Sequence, residues 1–282
     1  MIDAHTHTFP ESIAAAAVGQ LEKKACSRAY TAGTDAALQR SMQQAGIDCS
    51  ILLPVMTNTK QVIKLNDIAL QKNENTPATG LFSLGGMHPD FEGYAAELVR
   101  IAARGITGIK LHPAYQGVDL DDVRYLRIIE KAAELNLAVV IHAGLDIGIM
   151  HHNFASVRHI QSVLREIAPP KFILAHMGGW KGWDEVEREL CGENVYLDTS
   201  FSLGSYVPPA GMEVPKEKCR MLDSAQFERM VKKHGADKIL FGSDSPWSDQ
   251  AQSIAQINAC NLSEEEQMKI FDRNARKVFF DK

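Results

Sequence analysis

Short apolar runs alternate along the chain with longer stretches in which apolar residues recur every three or four positions. The runs are rich in Val, Ile, Leu and Phe and have the length of buried β-strands. They predict eight strands, at Met1–His7, Cys49–Val55, Gly80–Gly85, Gly105–Leu111, Ala138–His142, Phe172–His176, Asn194–Thr199 and Lys238–Gly242. Because strands that alternate with helices pair in parallel, the pattern indicates a parallel sheet covered by helices.

The stretches between the runs have helical periodicity. The clearest cover Asp121–Leu135, Phe154–Ile167, Ser224–His234 and Ser263–Phe280. Within the first of these, apolar residues at steps of three and four predict the face that packs on the sheet, namely Val123, Leu126, Ile129 and Ala133.

Eight strand–helix units are the number that closes a parallel sheet into a barrel. The rival fold is an open doubly wound sheet, which has fewer strands and usually a glycine-rich phosphate turn after the first one. Here the first strand runs into His5-Thr6-His7 instead. We therefore predict an α/β protein with a (β/α)8 TIM barrel, in one domain over residues 1–282. The longest irregular stretch, Phe201–Asp223, follows the seventh strand, where barrels place loops that cover the substrate.

Composition and charge exclude several functional classes. The chain has 282 residues, 45% of them hydrophobic, which suffices for a large core. Its net charge of −5 provides no basic surface for nucleic acid or an anionic membrane. We see no membrane-spanning stretch and no signal peptide. The five cysteines show no Cys-x-x-Cys spacing, which argues for reduced thiols in a cytoplasmic protein and against structural zinc.

Residues that can bind a metal stand at the carboxyl ends of the predicted strands. His5 and His7 are two positions apart in the first strand, so their imidazoles project to the same side. The later strand ends carry Lys110, His112, His142, His176 and Asp244. Because barrel active sites are built at the carboxyl ends of the strands, these side chains are predicted to converge on a metal ion.

The alternation of side chains along a strand indicates which of them enter the barrel. Ile109 and Leu111 are predicted to face the outer helices, which leaves Lys110 and His112 facing the axis. The same rule places His142 with Val140, His176 with Leu174, and Asp244 with Leu240 on the inner faces. An inward carboxylate or ammonium without a partner is costly to bury, and a metal ion removes that cost for the carboxylate.

The order of the motifs resembles the amidohydrolase superfamily. The motifs are Asp3-Ala4-His5-Thr6-His7, Gly86-Met87-His88-Pro89, Gly108-Ile109-Lys110-Leu111-His112-Pro113, Ile141-His142-Ala143-Gly144, Ala175-His176-Met177-Gly178-Gly179 and Phe241-Gly242-Ser243-Asp244. More narrowly, the chain is similar to the branch that includes aminocarboxymuconate semialdehyde decarboxylase and many metal-dependent hydrolases. Many superfamily members have a β-sandwich built partly from residues before the His-x-His pair. Here that pair begins at His5, so no N-terminal β-sandwich is expected.

The resemblance implies roles for the strand-end residues. The implied metal ligands are His5, His7, His142 and Asp244. His176 would be a ligand of a second metal or a catalytic side chain. Lys110 stands where some members carry a carboxylated lysine that bridges two metals, so it either ligates metal in that form or binds an anionic group of the substrate. Further candidates for substrate contact are His88, His112 and Trp247.

Imidazole and carboxylate ligands favour zinc, with manganese or iron as alternatives, as one or two ions. We expect a metal-activated water to attack an amide, lactone or ester, with Asp244 as the base and His176 stabilising the oxyanion. The alternative is nonoxidative decarboxylation of an unsaturated or aromatic carboxylate, since the branch contains both reactions.

Two further interpretations are less favoured. A metal-dependent DNase of the related barrel type usually has Glu where this chain has Lys110, and a non-catalytic metal-binding protein would show no turnover. The expected partner is a small-molecule substrate, without nucleic acid or membrane, and the chain could form a homodimer.

Overall fold

Parallel strands follow one another around the axis of the molecule in sequence order. The computed structural model describes residues 1–214 and 219–281. Its strands are β1 (Ile2–Thr6), β2 (Cys49–Leu52), β3 (Leu81–Ser83), β4 (Gly85–Gly86), β5 (Gly108–Leu111), β6 (Ala138–Ile141), β7 (Phe172–Leu174), β8 (Tyr196–Asp198) and β9 (Ile239–Leu240). β1 to β3 form one sheet and β4 to β9 a second, and every pair of neighbours is parallel.

Backbone hydrogen bonds close both seams between the two sheets. At the first seam, Leu84 divides the third predicted strand into β3 and β4, and its N–H donates to the carbonyl oxygen of Leu52 at 3.0 Å. At the second, the N–H of Ala4 in β1 donates to the carbonyl of Phe241, just after β9, at 2.8 Å. The closed sheet is a (β/α)8 TIM barrel, which confirms the predicted fold.

Helices cover the outside of the barrel and close the end at which the strands begin. They are α1 (Glu11–Ala25), α2 (Asp35–Ala45), α3 (Val62–Glu74), α4 (Thr76–Thr79), α5 (Tyr94–Ala103), α6 (Pro113–Gln116), α7 (Val123–Glu134), α8 (Val157–Glu166), α9 (Trp183–Glu189), α10 (Ser224–His234), α11 (Gln250–Asn258), α12 (Glu264–Met268) and α13 (Asn274–Phe279). Within the described residues, no helix is long and apolar enough to cross a membrane. The predicted covering loop Phe201–Asp223 lies partly outside the described residues.

The alternating strand residues build two apolar cores. The larger core lies between strands and helices and includes Ile109, Leu111, Val139 and Ile141. The smaller core fills the barrel and includes Ile2, Ala4, Val140, Ile173 and Leu240, together with Ala275, Val278 and Phe279 of α13. Because apolar side chains fill the barrel from its amino-terminal end, the carboxyl ends of the strands remain for polar groups.

The predicted core-facing residues of α7 are confirmed at Ile129, whereas Leu126 and Ala133 are only partly buried and Val123 is exposed. Tyr125, Ile128, Ile129 and Ala132 are buried, whereas Val123 is 72% exposed. The hydroxyl of Tyr125 donates to the side chain of Gln116, so its ring can be buried without an unpaired polar group. A pattern built on aliphatic residues alone does not include that tyrosine.

Gly144, two residues after His142, occupies a backbone position that excludes a side chain. Its φ is +83°, and a Cβ would lie 2.3 Å from the backbone nitrogen of Trp180. We expect Gly144→Ala to lower the free energy of unfolding by about 3 kcal/mol or more, because the clashing atoms belong to backbone. Gly105→Ala is the matched control, since its φ is +91° but nothing lies within 4 Å. It should lose only about 1–2 kcal/mol. Equal losses of unfolding free energy in the two variants, measured by urea denaturation, would contradict the expected clash.

Candidate metal centre

Three potential metal ligands meet at the carboxyl end of the barrel. His5 Nε2 lies 3.2 Å from His7 Nε2. Asp244 Oδ1 lies 3.4 Å from His5 Nε2 and 3.2 Å from His7 Nε2. The side chains of His5 and Asp244 are buried, and that of His7 is largely buried. We call these three residues the His5–His7–Asp244 triad.

Hydrogen bonds fix the protons on both imidazoles of the triad. His5 Nδ1 lies 2.8 Å from Asp198 Oδ2, and His7 Nδ1 lies 2.8 Å from the carbonyl oxygen of Leu53. Burial alone would raise the pKa of Asp198, but the adjacent His5 holds it well below its usual range. Because a carboxylate and a carbonyl only accept, each Nδ1 carries the proton and each Nε2 presents a lone pair. Two lone pairs and the Asp244 carboxylate then face one point, which fits a divalent metal ion.

Asp198 is expected to set the metal affinity without touching the metal. Asp198→Asn removes the charge that holds the proton on His5 Nδ1, so we expect manganese to bind about 10–100-fold more weakly. Isothermal titration calorimetry of metal-free protein measures the dissociation constant. The matched control is Asp119→Asn, because Asp119 meets the exposed His152 at 2.6 Å in a pair that includes no residue of the triad. An unchanged constant in Asp198→Asn would contradict this role.

A β-bulge in β1 brings the histidine pair into position. The pairing of β1 with β2 shifts register between Asp3 and Thr6. Ile2 and Ala4 both belong to the barrel core, yet His5 also faces the axis, which simple alternation does not allow. Thr6 turns away and donates to the carbonyl oxygen of Ile51 at 2.8 Å. No residue type in this segment indicates the bulge.

His142 and His176 form an imidazole pair beside the triad. His176 Nε2 lies 3.0 Å from His142 Nδ1, and the ring centres of His5 and His176 are 5.4 Å apart. His142 Nε2 faces the carbonyl oxygen of Leu145 at 3.3 Å. The strand-end residues therefore lie in two adjacent groups, the triad and this pair.

His176 reaches the interior by a route different from the predicted one. Leu174 belongs to the outer core and Ile173 to the inner core, so the prediction that Leu174 and His176 share an inner strand face is wrong. His176 and Met177 have φ values of 58° and 51°, which end the extended conformation and turn the imidazole inward. The ring is held there by His176 Nδ1, which donates to the carbonyl oxygen of Ser200 at 2.9 Å.

Lys110 brings a buried ammonium group to the same end of the barrel. The residue is 2% exposed, and its Nζ has no hydrogen-bond partner among the described residues. Burial lowers the pKa of Lys110 to about 8, although the carboxylates of Asp198 and Asp244 oppose that shift. A buried cation without a partner is costly, and such groups occur where a protein binds an anion.

His112, His142 and Asp146 form a second buried group of potential ligand atoms. Asp146 Oδ2 lies 3.7 Å from His112 Nε2 and 3.8 Å from His142 Nε2. Asp146 has no sequence signal that marks it as functional, because it stands in a loop after β6 and aspartate is common in turns. Only the folded chain shows that this loop returns over the strand ends.

The other two substrate-contact candidates have local partners. His88 Nδ1 accepts the N–H of Asp90 at 3.2 Å. The backbone N–H of Trp247 donates to the carbonyl oxygen of Asp244 at 2.8 Å, and Trp247 lines a separate small cavity with Tyr30. Contact of His88 or Trp247 with a substrate stays a prediction.

A family model described as amidohydrolase matches residues 2–280. The chain belongs to the amidohydrolase family. The match confirms the resemblance drawn from the strand-end motifs and spans the whole barrel. A comparison with curated protein sequences found no match.

Solved structures with the same fold include several decarboxylases. 2,6-Dihydroxybenzoate decarboxylase from Rhizobium is 17% identical, with a TM-score of 0.70 over 99% of this chain and 98% of that one. 5-Carboxyvanillate decarboxylase from Sphingomonas paucimobilis is 15% identical, with a TM-score of 0.66 over 99% and 98%. A dihydroxybenzoic acid decarboxylase from a Polaromonas species, with bound manganese and the inhibitor 2-nitroresorcinol, is 17% identical, with a TM-score of 0.69 over 99% and 96%.

These neighbours correct the predicted reaction. All three are decarboxylases of aromatic acids, so the expectation that the chain hydrolyses an amide, lactone or ester is wrong. The motifs at the strand ends predict a metal site. Because a metal site can serve either reaction, the motifs do not distinguish hydrolysis from decarboxylation.

Proposed function

We propose that the protein is a metal-dependent, nonoxidative decarboxylase of an aromatic carboxylate. The observation that carries the proposal is the Lys110 ammonium, which has no hydrogen-bond partner in residues 1–214 and 219–281 and lies at the same end of the barrel as the His5–His7–Asp244 triad. A substrate carboxylate is an anion that would pair with this ammonium, and a metal ion held by the triad would supply further positive charge. The decarboxylases of the same fold support this assignment.

The His5–His7–Asp244 triad would hold the metal. Manganese is present in the Polaromonas decarboxylase, and zinc also suits two imidazoles and a carboxylate. When bound, the ion supplies positive charge that holds the substrate's carboxylate beside Lys110. Lys110 keeps its charge near neutral pH, because its pKa of about 8 lies above 7.

Asp244 is placed to deliver the proton that replaces the carboxylate. Burial would raise its pKa, but the contact with His7 and the nearby His5 and His176 lower it below the usual range, so Asp244 is ionised in the free protein. An arriving anionic substrate adds negative charge and raises that pKa, and Asp244 then takes a proton from solvent. A C–H bond forms at the ring carbon, the C–C bond to the carboxylate breaks, its electron pair returns to the ring, and CO2 leaves.

Release of CO2 tests the proposal directly. Manganese-loaded protein is incubated with benzoate and with mono- and dihydroxybenzoates labelled with 13C in the carboxyl group. We expect one acid to yield labelled CO2 and, in D2O, one deuterium on the ring for each CO2. Removal of the metal with EDTA should stop the reaction and manganese should restore it. A panel that yields no CO2 at full metal occupancy would contradict the proposal.

The remaining predictions concern the substrate, the partners, the oligomeric state and the cellular location of the protein. A small-molecule substrate follows from the proposed reaction. Location in the cytoplasm, the absence of a nucleic-acid or membrane partner and the formation of a homodimer stay predictions from the sequence.

A further inference from the structure

We infer that His112 and Asp146 form a subsite that binds a hydroxyl group of the substrate, an inference that rests on the proposed function. His112 Nε2 and Asp146 Oδ2 face each other at 3.7 Å. That distance is too long for a direct hydrogen bond, and an oxygen atom to one side of the pair can lie within about 3 Å of both atoms. The residues are 6% and 4% exposed, and the proposed reaction uses neither of them.

The backbone fixes the proton of His112 on the nitrogen that faces Asp146. His112 Nδ1 accepts the N–H of Tyr115 at 3.3 Å at the start of α6. A neutral imidazole whose Nδ1 accepts must carry its proton on Nε2. His112 Nε2 is therefore a donor. The same proton argues against a metal ion between His112, His142 and Asp146, because a ligating nitrogen must be deprotonated.

Asp146 supplies the acceptor that matches this donor. Its Oδ1 accepts the N–H of Gly148 at 2.8 Å, which sets the orientation of the carboxylate and leaves Oδ2 facing the imidazoles. A hydroxyl group accepts from His112 and donates to Asp146 at the same time. A second carboxylate on the substrate cannot donate and would be repelled by Asp146. The pair therefore selects a hydroxyl substituent.

The subsite lies within reach of a ring held at Lys110. Lys110 and His112 are two positions apart at the end of β5, so their side chains leave the chain on the same side with Cα atoms about 7 Å apart. The rings of Tyr115 and His142 stack on the two faces of His112, each with centroids 4.2 Å away, and hold its orientation. An aromatic acid bound at Lys110 by its carboxylate can place a ring substituent beside the facing atoms of His112 and Asp146.

The test compares benzoate with its three monohydroxy isomers as ligands of the manganese-loaded protein. Calorimetry gives the affinity of each acid for the wild type and for Asp146→Asn and His112→Asn. Asparagine preserves the bond to Gly148 in the first variant and the bond to Tyr115 in the second. We expect one isomer to bind the wild type about tenfold more tightly than benzoate. Both variants should lose the tighter binding of that isomer, and the control Asp119→Asn should keep it. The affinity for benzoate should stay within about twofold of the wild type in all three variants.

Three outcomes would overturn the subsite. The tighter binding of one isomer could persist in Asp146→Asn, or no isomer could bind the wild type more tightly than benzoate. A uniform loss of affinity for all four acids in the variants would show a structural role only. If the wild type releases CO2 from a hydroxybenzoate and one of these results is found, the subsite alone is wrong. If it binds none of the four acids, the decarboxylase proposal is wrong as well.

Discussion

Decarboxylation is expected to cease in Asp244→Asn while the barrel stays folded. Asparagine has nearly the size of aspartate and keeps one oxygen toward His5 and His7, so most of the bound metal should remain. It cannot carry a proton to the ring carbon. General acid catalysis contributes about 10²–10⁴-fold, so kcat should fall by at least that factor.

Three measurements on Asp244→Asn separate catalysis from structure. Elemental analysis counts the metal, circular dichroism follows the fold, and CO2 release gives kcat. Asp119→Asn is the control for a carboxylate that pairs with a histidine on the surface, and it should leave all three unchanged. Substantial residual turnover in Asp244→Asn would remove Asp244 from its proposed role.

Lys110→Met is expected to weaken substrate binding strongly and to stabilise the metal-free protein. Methionine fills a similar volume without a charge. Loss of a buried charge that pairs with the substrate costs about 100-fold in kcat/KM. The lowered pKa of Lys110, about 8 instead of 10.5, corresponds to about 3 kcal/mol against the charged form at neutral pH. Removing the unpaired ammonium should therefore raise the free energy of unfolding.

The stability gain of Lys110→Met should depend on pH with a defined sign. Below pH 8 the lysine is charged in both the folded and the unfolded chain, so the full cost is present and the gain is largest. Between pH 8 and about 10.5 the folded protein releases the proton while the unfolded chain keeps it, so the wild type becomes more stable and the gain shrinks. Urea denaturation of both proteins after treatment with EDTA measures this difference.

The control for Lys110→Met is Lys131→Met. Lys131 lies on the surface and pairs with Glu134, so its replacement should change neither kcat/KM nor the pH dependence of unfolding beyond about 0.5 kcal/mol. A Lys110→Met protein that is less stable than the wild type at pH 7 would show that Lys110 has a stabilising partner in the fold. Unchanged kcat/KM would show that it does not bind the substrate.

The position of each strand follows from local sequence, because a buried strand needs a continuous apolar run whatever surrounds it. The predicted strands ending at Leu111 and His142 correspond to β5 and β6 within a few residues, and Lys110 and His142 enter the barrel by alternation alone. Alternation fails for His176, because the chain leaves the extended conformation before that residue. It also fails within β1, where the register against β2 shifts between Asp3 and Thr6, so that His5 faces the axis although Ala4 does as well. Both departures are backbone features that no residue type indicates.

By itself, the sequence determined the barrel, the family and most of the residues that gather at its carboxyl end, although not Asp146 or Asp198. These depend on patterns within single strands and on motifs at their ends. Only the tertiary structure decided which atoms face one another: the lone pairs of His5 and His7 toward Asp244, the ammonium of Lys110 without a partner, and Asp146 opposite His112. Those relations depend on register, backbone turns and loop paths, which are set by packing between segments far apart in the chain.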